Sequence, residues 1–240
     1  TTTGNLKFDL ELNDAEEAIT KELDLRFQIS DRRPLIVAAS THEPEERWIL
    51  EAFCSLAAGG STKPRLLIAP RHPERFDAVA KLVRDFRNDP ACEWTRFKFV
   101  RRSDAASTDD ANADIIVLDS IGELRAAYSL AEIVVVGGSM IPHGGQSILE
   151  PASAGKAIVT GHHTHNFEDV LRTFRGNNAV IQLPAKTGDQ LVDELFLGLS
   201  DLMESDQQRN ALGRNAAAVM KANRGATART IEALARLLSQ

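Results

Sequence analysis

The sequence predicts an α/β protein built on a doubly wound parallel sheet. Three observations carry this expectation. Short apolar runs rich in β-branched residues recur along the chain, as strands buried on both faces require. Segments with apolar residues at helical spacing separate those runs. Glycine, histidine and small polar residues gather just after the runs, where an open parallel sheet presents its ligand-binding loops. The 240 residues are 43% hydrophobic and 26% charged, an ordinary globular composition. That excludes a disordered tail, a collagen-like repeat and a disulfide scaffold.

The elements follow in order. Residues 6–10 read as a short opening strand and 14–25 as a polar helix. Asp14 stands at its N-cap with Glu17 three residues on, a capping-box pair. Pro34-Leu35-Ile36-Val37-Ala38-Ala39-Ser40 is the first regular strand. A helix over 44–57 follows, with Trp48, Leu50, Phe53 and Leu56 at helical spacing. The unit repeats as strand 66–70 and helix 73–86, with Phe76, Val79, Ala80 and Val83 inward. Residues 97–100 alternate as a strand with one solvated face, and 101–112 form a polar surface loop. Three further buried strands lie at 115–118, 133–136 and 157–159, with helices between and after them. From Thr187 the chain is helical, first through Leu191, Leu195, Leu199 and Leu202, then over 211–220 and 227–238.

Several functions are disfavoured at once. A net charge of −6 argues against a broad basic face for nucleic acid, while leaving room for a local anion pocket. No apolar run approaches the roughly 20 residues that span a bilayer, so direct membrane insertion by this chain is not expected. The opening Thr1-Thr2-Thr3-Gly4 lacks an initiator Met and the basic-then-apolar order of a signal peptide. The chain is therefore expected to be a piece of a longer protein. Cys54 and Cys92 have no metal-ligand spacing around them and are expected as buried free thiols.

The residues that bear chemistry sit in five loops. All six histidines (His42, His72, His143, His162, His163 and His165) follow predicted strands. The loops are Ser40-Thr41-His42-Glu43, Pro70-Arg71-His72-Pro73, and Asp119-Ser120-Ile121-Gly122-Glu123-Leu124. Next come Gly137-Gly138-Ser139, continuing to His143-Gly144-Gly145-Gln146-Ser147-Ile148-Leu149-Glu150-Pro151, and then Gly161-His162-His163-Thr164-His165-Asn166-Phe167. Two glycine pairs in one connection let backbone N–H groups approach an anion. A helix starting near Ser147 would aim its positive end there. The alternative is a tight turn that simply needs positive φ. The spacing is neither a P-loop nor G-x-G-x-x-G.

Glu150, in the first turn of that helix, either complements the helix dipole or accepts hydrogen bonds from two vicinal ribose hydroxyls. Arg71, with His72 beside it, either pairs with a phosphate or makes a surface ion pair. His162, His163 and His165 lack the carboxylate partners of a zinc site, and no metal is expected. Ser139 lacks the G-x-S-x-G elbow of a nucleophilic serine.

Taken together, Gly137-Gly138-Ser139, His143-Gly144-Gly145, Leu149-Glu150-Pro151, Gly155-Lys156 and Asn166-Phe167 resemble the 3-deoxy-D-manno-octulosonic acid (Kdo) transferases of lipopolysaccharide assembly. Thr3-Gly4-Asn5-Leu6-Lys7-Phe8-Asp9, Ser40-Thr41-His42-Glu43, Pro70-Arg71-His72-Pro73-Glu74-Arg75-Phe76 and Gly122-Glu123-Leu124 fall in the same order as in that family. The likeness covers nearly the whole chain and weakens after about residue 183. It implies a GT-B glycosyltransferase with two Rossmann-like domains facing across a cleft, of which this chain is the C-terminal, donor-binding one. Residues 1–12 would be an inter-domain segment and 13–240 the Rossmann-like nucleotide-sugar-binding domain with its C-terminal helices.

The resemblance further implies CMP-Kdo as donor, a lipid A precursor as acceptor, and a metal-independent, inverting transfer without a cofactor. The enzyme would work peripherally at the cytoplasmic face of the bacterial inner membrane. Gly138, Ser139, Gly144, Gly145 and Gln146 would lie at the phosphate and sugar. Glu150 would hold the ribose, and Arg71 and His72 would face the nucleotide. Gly122 and Glu123 would line the cytidine side, and Ser40, Thr41, His42 and Glu43 the cleft. The general base and the acceptor site would belong to the family's first domain, so no catalytic residue is expected here and the chain should not turn over alone. The sequence departs from the family at Gln146, often His, and at Ser147, usually Asn. It departs also at Pro44, often Gly, and at His162, often Pro. The rival readings are a nucleotide-sugar 2-epimerase of the same architecture and a non-catalytic nucleotide-binding module. A hydrolase would rest on the histidines alone.

Overall fold

The computed structural model describes residues 8–9, 14–30, 33–59, 63–89, 92, 94 and 96–238. Seven parallel strands form one sheet: β1 (Leu35–Thr41), β2 (Arg65–Pro70), β3 (Phe99–Arg101), β4 (Ile115–Val117), β5 (Ile133–Val136), β6 (Ala157–Thr160) and β7 (Ile181–Gln182). Their order is β3-β4-β2-β1-β5-β6-β7, and all six pairings are parallel. The helices are α1 (Asp14–Phe27), α2 (Glu45–Gly59), α3 (Phe76–Phe86), α4 (Leu124–Leu130), α5 (Leu149–Ser153), α6 (Glu168–Gly176), α7 (Asp189–Glu204), α8 (Asp206–Asn223) and α9 (Ala226–Leu238).

Alternation along the strands divides the core in two. Leu35, Val37 and Ala39 of β1 face a layer that includes Leu23 and Phe27 of α1, Ala126 and Ala127 of α4, and Phe174 of α6. Ile36 and Ala38 face the opposite layer, with Ile49 and Phe53 of α2, Val83 of α3, and Leu191, Leu195, Leu199 and Leu202 of α7. With apolar cover on both faces, the strands read as unbroken apolar runs, which is why they were visible in the sequence.

This topology decides where a ligand can sit. From β1 the sheet extends one way through β2, β4 and β3, and the other way through β5, β6 and β7. The carboxyl ends of β1 and β5 therefore flank the switch point of the sheet, where the crevice of a doubly wound fold opens. No described helix is long and apolar enough to cross a membrane.

The structure corrects several element boundaries. The third strand spans residues 99–101 rather than 97–100, and the two-residue β7 had no periodicity to reveal it. Helix 73–86 begins with a 3-10 turn over Pro73–Arg75, where the missing N–H of Pro73 costs no intrahelical hydrogen bond. The helix expected near Ser147 begins at Leu149. Of the expected strand 6–10, Phe8 and Asp9 are described and belong to no strand. Asp9 instead accepts hydrogen bonds from the N–H groups of Gly225 and Thr227 at the start of α9. The Asp14 side chain, and with it the capping box, lies outside the described residues, as does most of segment 1–12. Cys54 and Cys92 are both buried and free, the Cys92 thiol donating to the Cys54 sulfur at 3.0 Å.

Candidate functional site

A cleft of about 390 Å³ opens at the switch point, lined by Ser40, Arg71, Gly122, Leu124, Arg125, Tyr128, Val136, Gln146, Ser147 and Glu150. Its floor is built by an irregularity. Register with β2 shifts between Ala39 and Thr41, and Ser40 between them has φ +53°. A bulge of this kind re-aims a side chain, and a non-glycine residue holds such a conformation only where its surroundings impose it. Serine at that position carries no sequence signature of the strain.

Arg71 is exposed on the β2–α3 loop, where its backbone N–H is fixed by the Thr41 carbonyl at 3.0 Å. Among the described residues its guanidinium makes no hydrogen bond or ion pair, so it stands as an uncommitted cation in the cleft. Glu150, half-buried in the first turn of α5, is the counterpart. Burial lifts its carboxyl above the usual range, against the pull of Arg125 and Arg71. Arg125 itself is held by Glu16 of α1 at 2.9 Å. Beside them the buried Tyr128 phenol is pushed up by burial and by the Glu150 charge. The cleft thus offers one guanidinium uncommitted among the described residues, one half-buried carboxylate and polar Ser40, Gln146 and Ser147 beside the apolar Leu124, Val136 and Tyr128 ring, a mixed polar and apolar lining.

No protein-family model matches the chain. It is 35% identical over 232 residues to the 3-deoxy-D-manno-octulosonic acid transferase of Haemophilus influenzae, covering 97% of this chain and 50% of the relative. It is 32% identical over 237 residues to the Bordetella pertussis protein of the same name, covering 98% and 51%. The chain is a relative of the Kdo transferases. It spans about half the length of the curated relatives it matches. Among solved structures it is similar to the C-terminal CMP-Kdo binding domain of WaaA from Acinetobacter baumannii, at 29% identity and a TM-score of 0.71. That alignment covers 87% of this chain and 99% of that one. A glycosyltransferase from Rickettsia africae, 12% identical with a TM-score of 0.62 over 93% of this chain, shares the fold alone.

In this Kdo-transferase relative the glycine-rich connection works differently from the expected anion cradle. The N–H groups of Gly138 and His42 donate to one oxygen of Glu45, at 2.7 and 3.0 Å. Those of Ser139 and Met140 donate to the other, at 3.1 and 2.9 Å. Glu45, fully buried, fills the cradle from within the protein and ties the β1–α2 loop to the β5–α5 loop. Burial raises its carboxyl pKa in opposition to these donors. Ser139 is also fully buried. Its hydroxyl donates to the Val136 carbonyl and accepts from the Gly161 N–H, joining the loops after β5 and β6. Neither the Gly138 and Ser139 amides nor the Ser139 hydroxyl is left open to the cleft.

The second glycine pair is a packing device. Gly144 has φ +99°, and a Cβ there would stand 2.4 Å from the Asn166 amide nitrogen. Gly145, at φ +79°, donates to the Gly138 carbonyl at 2.7 Å and closes the turn that presents Gln146. Of the remaining expected residues, Ser40, Arg71, Gly122, Gln146 and Glu150 converge on the cleft, with His42 and His72 alongside. Three point elsewhere. Thr41 is buried with its hydroxyl on Glu46 at 3.1 Å. Glu43 is exposed and pairs with Arg75 at 3.0 Å. Glu123 is clasped by Arg102 at 3.0 and 2.9 Å and does not line the cleft.

Five of the six histidines form two groups. His42 meets His143 at 4.3 Å and His72 at 5.3 Å between ring centroids. His162 and His163 make a separate edge-on pair at 5.6 Å. No group among the described residues is arranged to hold a metal. Sequence reasoning passed over Glu45, Arg125 and Tyr128, and gave Ser147 only a place near the start of a helix. Glu45 and Glu46 are acids in the first turn of α2, where an exposed carboxylate commonly does no more than complement the helix dipole. Only burial, 0% and 1% exposed respectively, distinguishes them.

Proposed function

We propose that the cleft binds CMP-Kdo, and that the chain is the donor half of an enzyme that transfers Kdo to a lipid A precursor. The observation that carries this is the uncommitted Arg71 guanidinium facing Glu150 across a cleft at the switch point. The match of 97% of this chain to half the length of a Kdo transferase supports it. Arg71 would stabilise the departing CMP phosphate, whose negative charge grows as the anomeric bond breaks. Glu150 would accept hydrogen bonds from the two ribose hydroxyls, and Gly122 would leave room for the base. Gly144, Gly145 and Gln146 would shape the sugar side with His42 near it, and His72, whose ring meets His42, would lie there too rather than at the nucleotide as the resemblance implied.

The acceptor hydroxyl needs a general base, which this reading assigns to another part of the full-length enzyme, together with the acceptor site and the peripheral contact with the inner membrane. The transfer would be inverting and metal-independent. Residues 1–12 would join the two halves, and 13–240 would form the donor domain.

Calorimetric titration of the 240-residue chain with CMP and UDP tests this. CMP should bind more tightly than UDP, and Arg71→Ala and Glu150→Ala should each weaken CMP about ten-fold, or about 1.4 kcal/mol. Preference for UDP would favour a 2-epimerase. Unchanged CMP binding in both variants would remove the cleft as the site. Kdo transfer by this chain alone would overturn the assignment of the base elsewhere.

A further inference from the structure

We infer that His42, His72 and His143 form a second anion subsite beside the cleft, which receives the carboxylate of the donor sugar while Arg71 receives the nucleotide phosphate. This rests on the reading of the cleft as a CMP-Kdo site and specifies how an acidic sugar is recognised there.

The three imidazoles come from three loops, after β1, β2 and β5, strands that are neighbours in the sheet. His42 is the centre, 4.3 Å from His143 and 5.3 Å from His72 between centroids. Gln146 joins the cluster to the cleft: it lines the cleft, and its Nε2 lies 3.5 Å from His42 Nε2. The cluster also borders the cleft through the chain, since His72 follows Arg71 and His42 lies two residues after Ser40.

The neighbouring carboxylates are already engaged. Glu45 takes four backbone N–H groups. Glu46 takes Thr41 and Arg75, and Glu43 takes Arg75. Glu74, 75% exposed, stands 3.8 Å from His72 Nδ1. Burial, His143, His72, Arg75 and Arg71 all act to keep His42 uncharged, at a pKa of about 4. Imidazoles crowded this way, with guanidinium groups around them, lack only an acceptor. An arriving carboxylate would supply it and would favour proton uptake by the cluster.

The chemistry of the donor fits two adjacent receptors. In a CMP-linked 2-keto sugar acid, the carboxylate and the phosphate ester oxygen are attached to the same anomeric carbon. Two anions therefore enter side by side. A neutral hexose nucleotide would use only the Arg71 position and leave the imidazoles without a partner, so the cluster would select for an acidic sugar.

Titrating the chain with CMP and with freshly prepared CMP-Kdo separates the two receptors. His72 and His143 are both exposed, so His72→Ala and His143→Ala leave the core untouched. Each should weaken CMP-Kdo about ten-fold while changing CMP less than about two-fold. Neither anion of CMP-Kdo titrates near neutrality, so tighter binding at about pH 6.5 than at about pH 8 would report the imidazoles. Equal effects on both ligands, or none, would overturn the carboxylate subsite and leave the cleft assignment standing. Failure of the wild-type chain to bind either ligand would overturn the cleft assignment, and the subsite with it.

Discussion

Replacing Glu45 with glutamine is the sharpest test of how the cleft is held together. The carboxylate takes N–H groups from His42, Gly138, Ser139 and Met140 between 2.7 and 3.1 Å, and Glu45 is 0% exposed. Glutamine keeps one acceptor oxygen and turns the other into a donor, so two buried N–H groups lose their partner. Each orphaned group costs about 1–3 kcal/mol. The nearby cleft admits some water, so the sum should fall near the lower end, about 2–4 kcal/mol. For a domain of this size that is a fall in Tm of roughly 5–15 °C.

Glu45→Ala orphans all four groups and should cost at least about 4 kcal/mol, a large share of a typical stability of about 5–15 kcal/mol. Glu45→Asp, one methylene shorter, should not bridge both loops. Urea unfolding followed by circular dichroism gives the stabilities, with an unchanged m-value marking the same folded state. A Glu45→Gln variant within about 0.5 kcal/mol of wild type would refute the idea that this carboxylate organises the loops.

Three other outcomes are expected. Gly161→Ala would place a Cβ 2.2 Å from the Ser139 carbonyl oxygen and should cost about 2–4 kcal/mol. Gly59→Ala, with nothing within 4 Å of the new Cβ, should be neutral or stabilise by up to about 1 kcal/mol. Equal unfolding midpoints for the two would contradict the close packing of the β5 and β6 loops. His42, whose pKa is held at about 4 against an ordinary 6.5, disfavours the fold in acid. As pH falls from 6.5 towards 4, the unfolded chain takes a proton there that the native chain refuses, so stability declines across that window. Full conversion at about 1.36 kcal/mol per pH unit gives roughly 3 kcal/mol, and solvent at the cleft reduces this to about 1–2. The loss should be absent from His42→Gln when unfolding is compared at pH 7 and pH 5 with wild type. Burial and the adjacent Cys92 push the Cys54 thiol up. A thiol reagent should therefore label neither cysteine in the native chain and both in urea. Rapid native labelling would mean that this part of the core opens.

The strands were legible because cover on both faces leaves each as an uninterrupted apolar run, as in Ile133-Val134-Val135-Val136, buried throughout. The position of the cleft was legible too, since Arg71, Gly122, Gln146 and Glu150, which line it, all follow strand ends. What individual loop residues do there was much less so. Glu123 and Glu150 are both acids near the start of a helix after a strand. Arg102, 21 residues before Glu123, turns one away, while the other faces the cleft. Two glycine pairs looked like an anion cradle, and one of them proved to hold the protein's own Glu45.

By itself the sequence determined the α/β class, the succession of strands and helices, the kinship with the Kdo transferases and the loops that carry the site. Those features rest on periodicity and local composition, which are properties of neighbours along the chain. Only the tertiary structure decided that Glu45 satisfies four amides from two loops, that Ser40 is strained, and that His42, His72 and His143 converge. The physical reason is distance along the chain. His42 and His143 are brought together by the pairing of β1 with β5, and Glu45 reaches Gly138 from 93 residues away. Hydrogen bonds and ring contacts of that range depend on strand order, which no local pattern records.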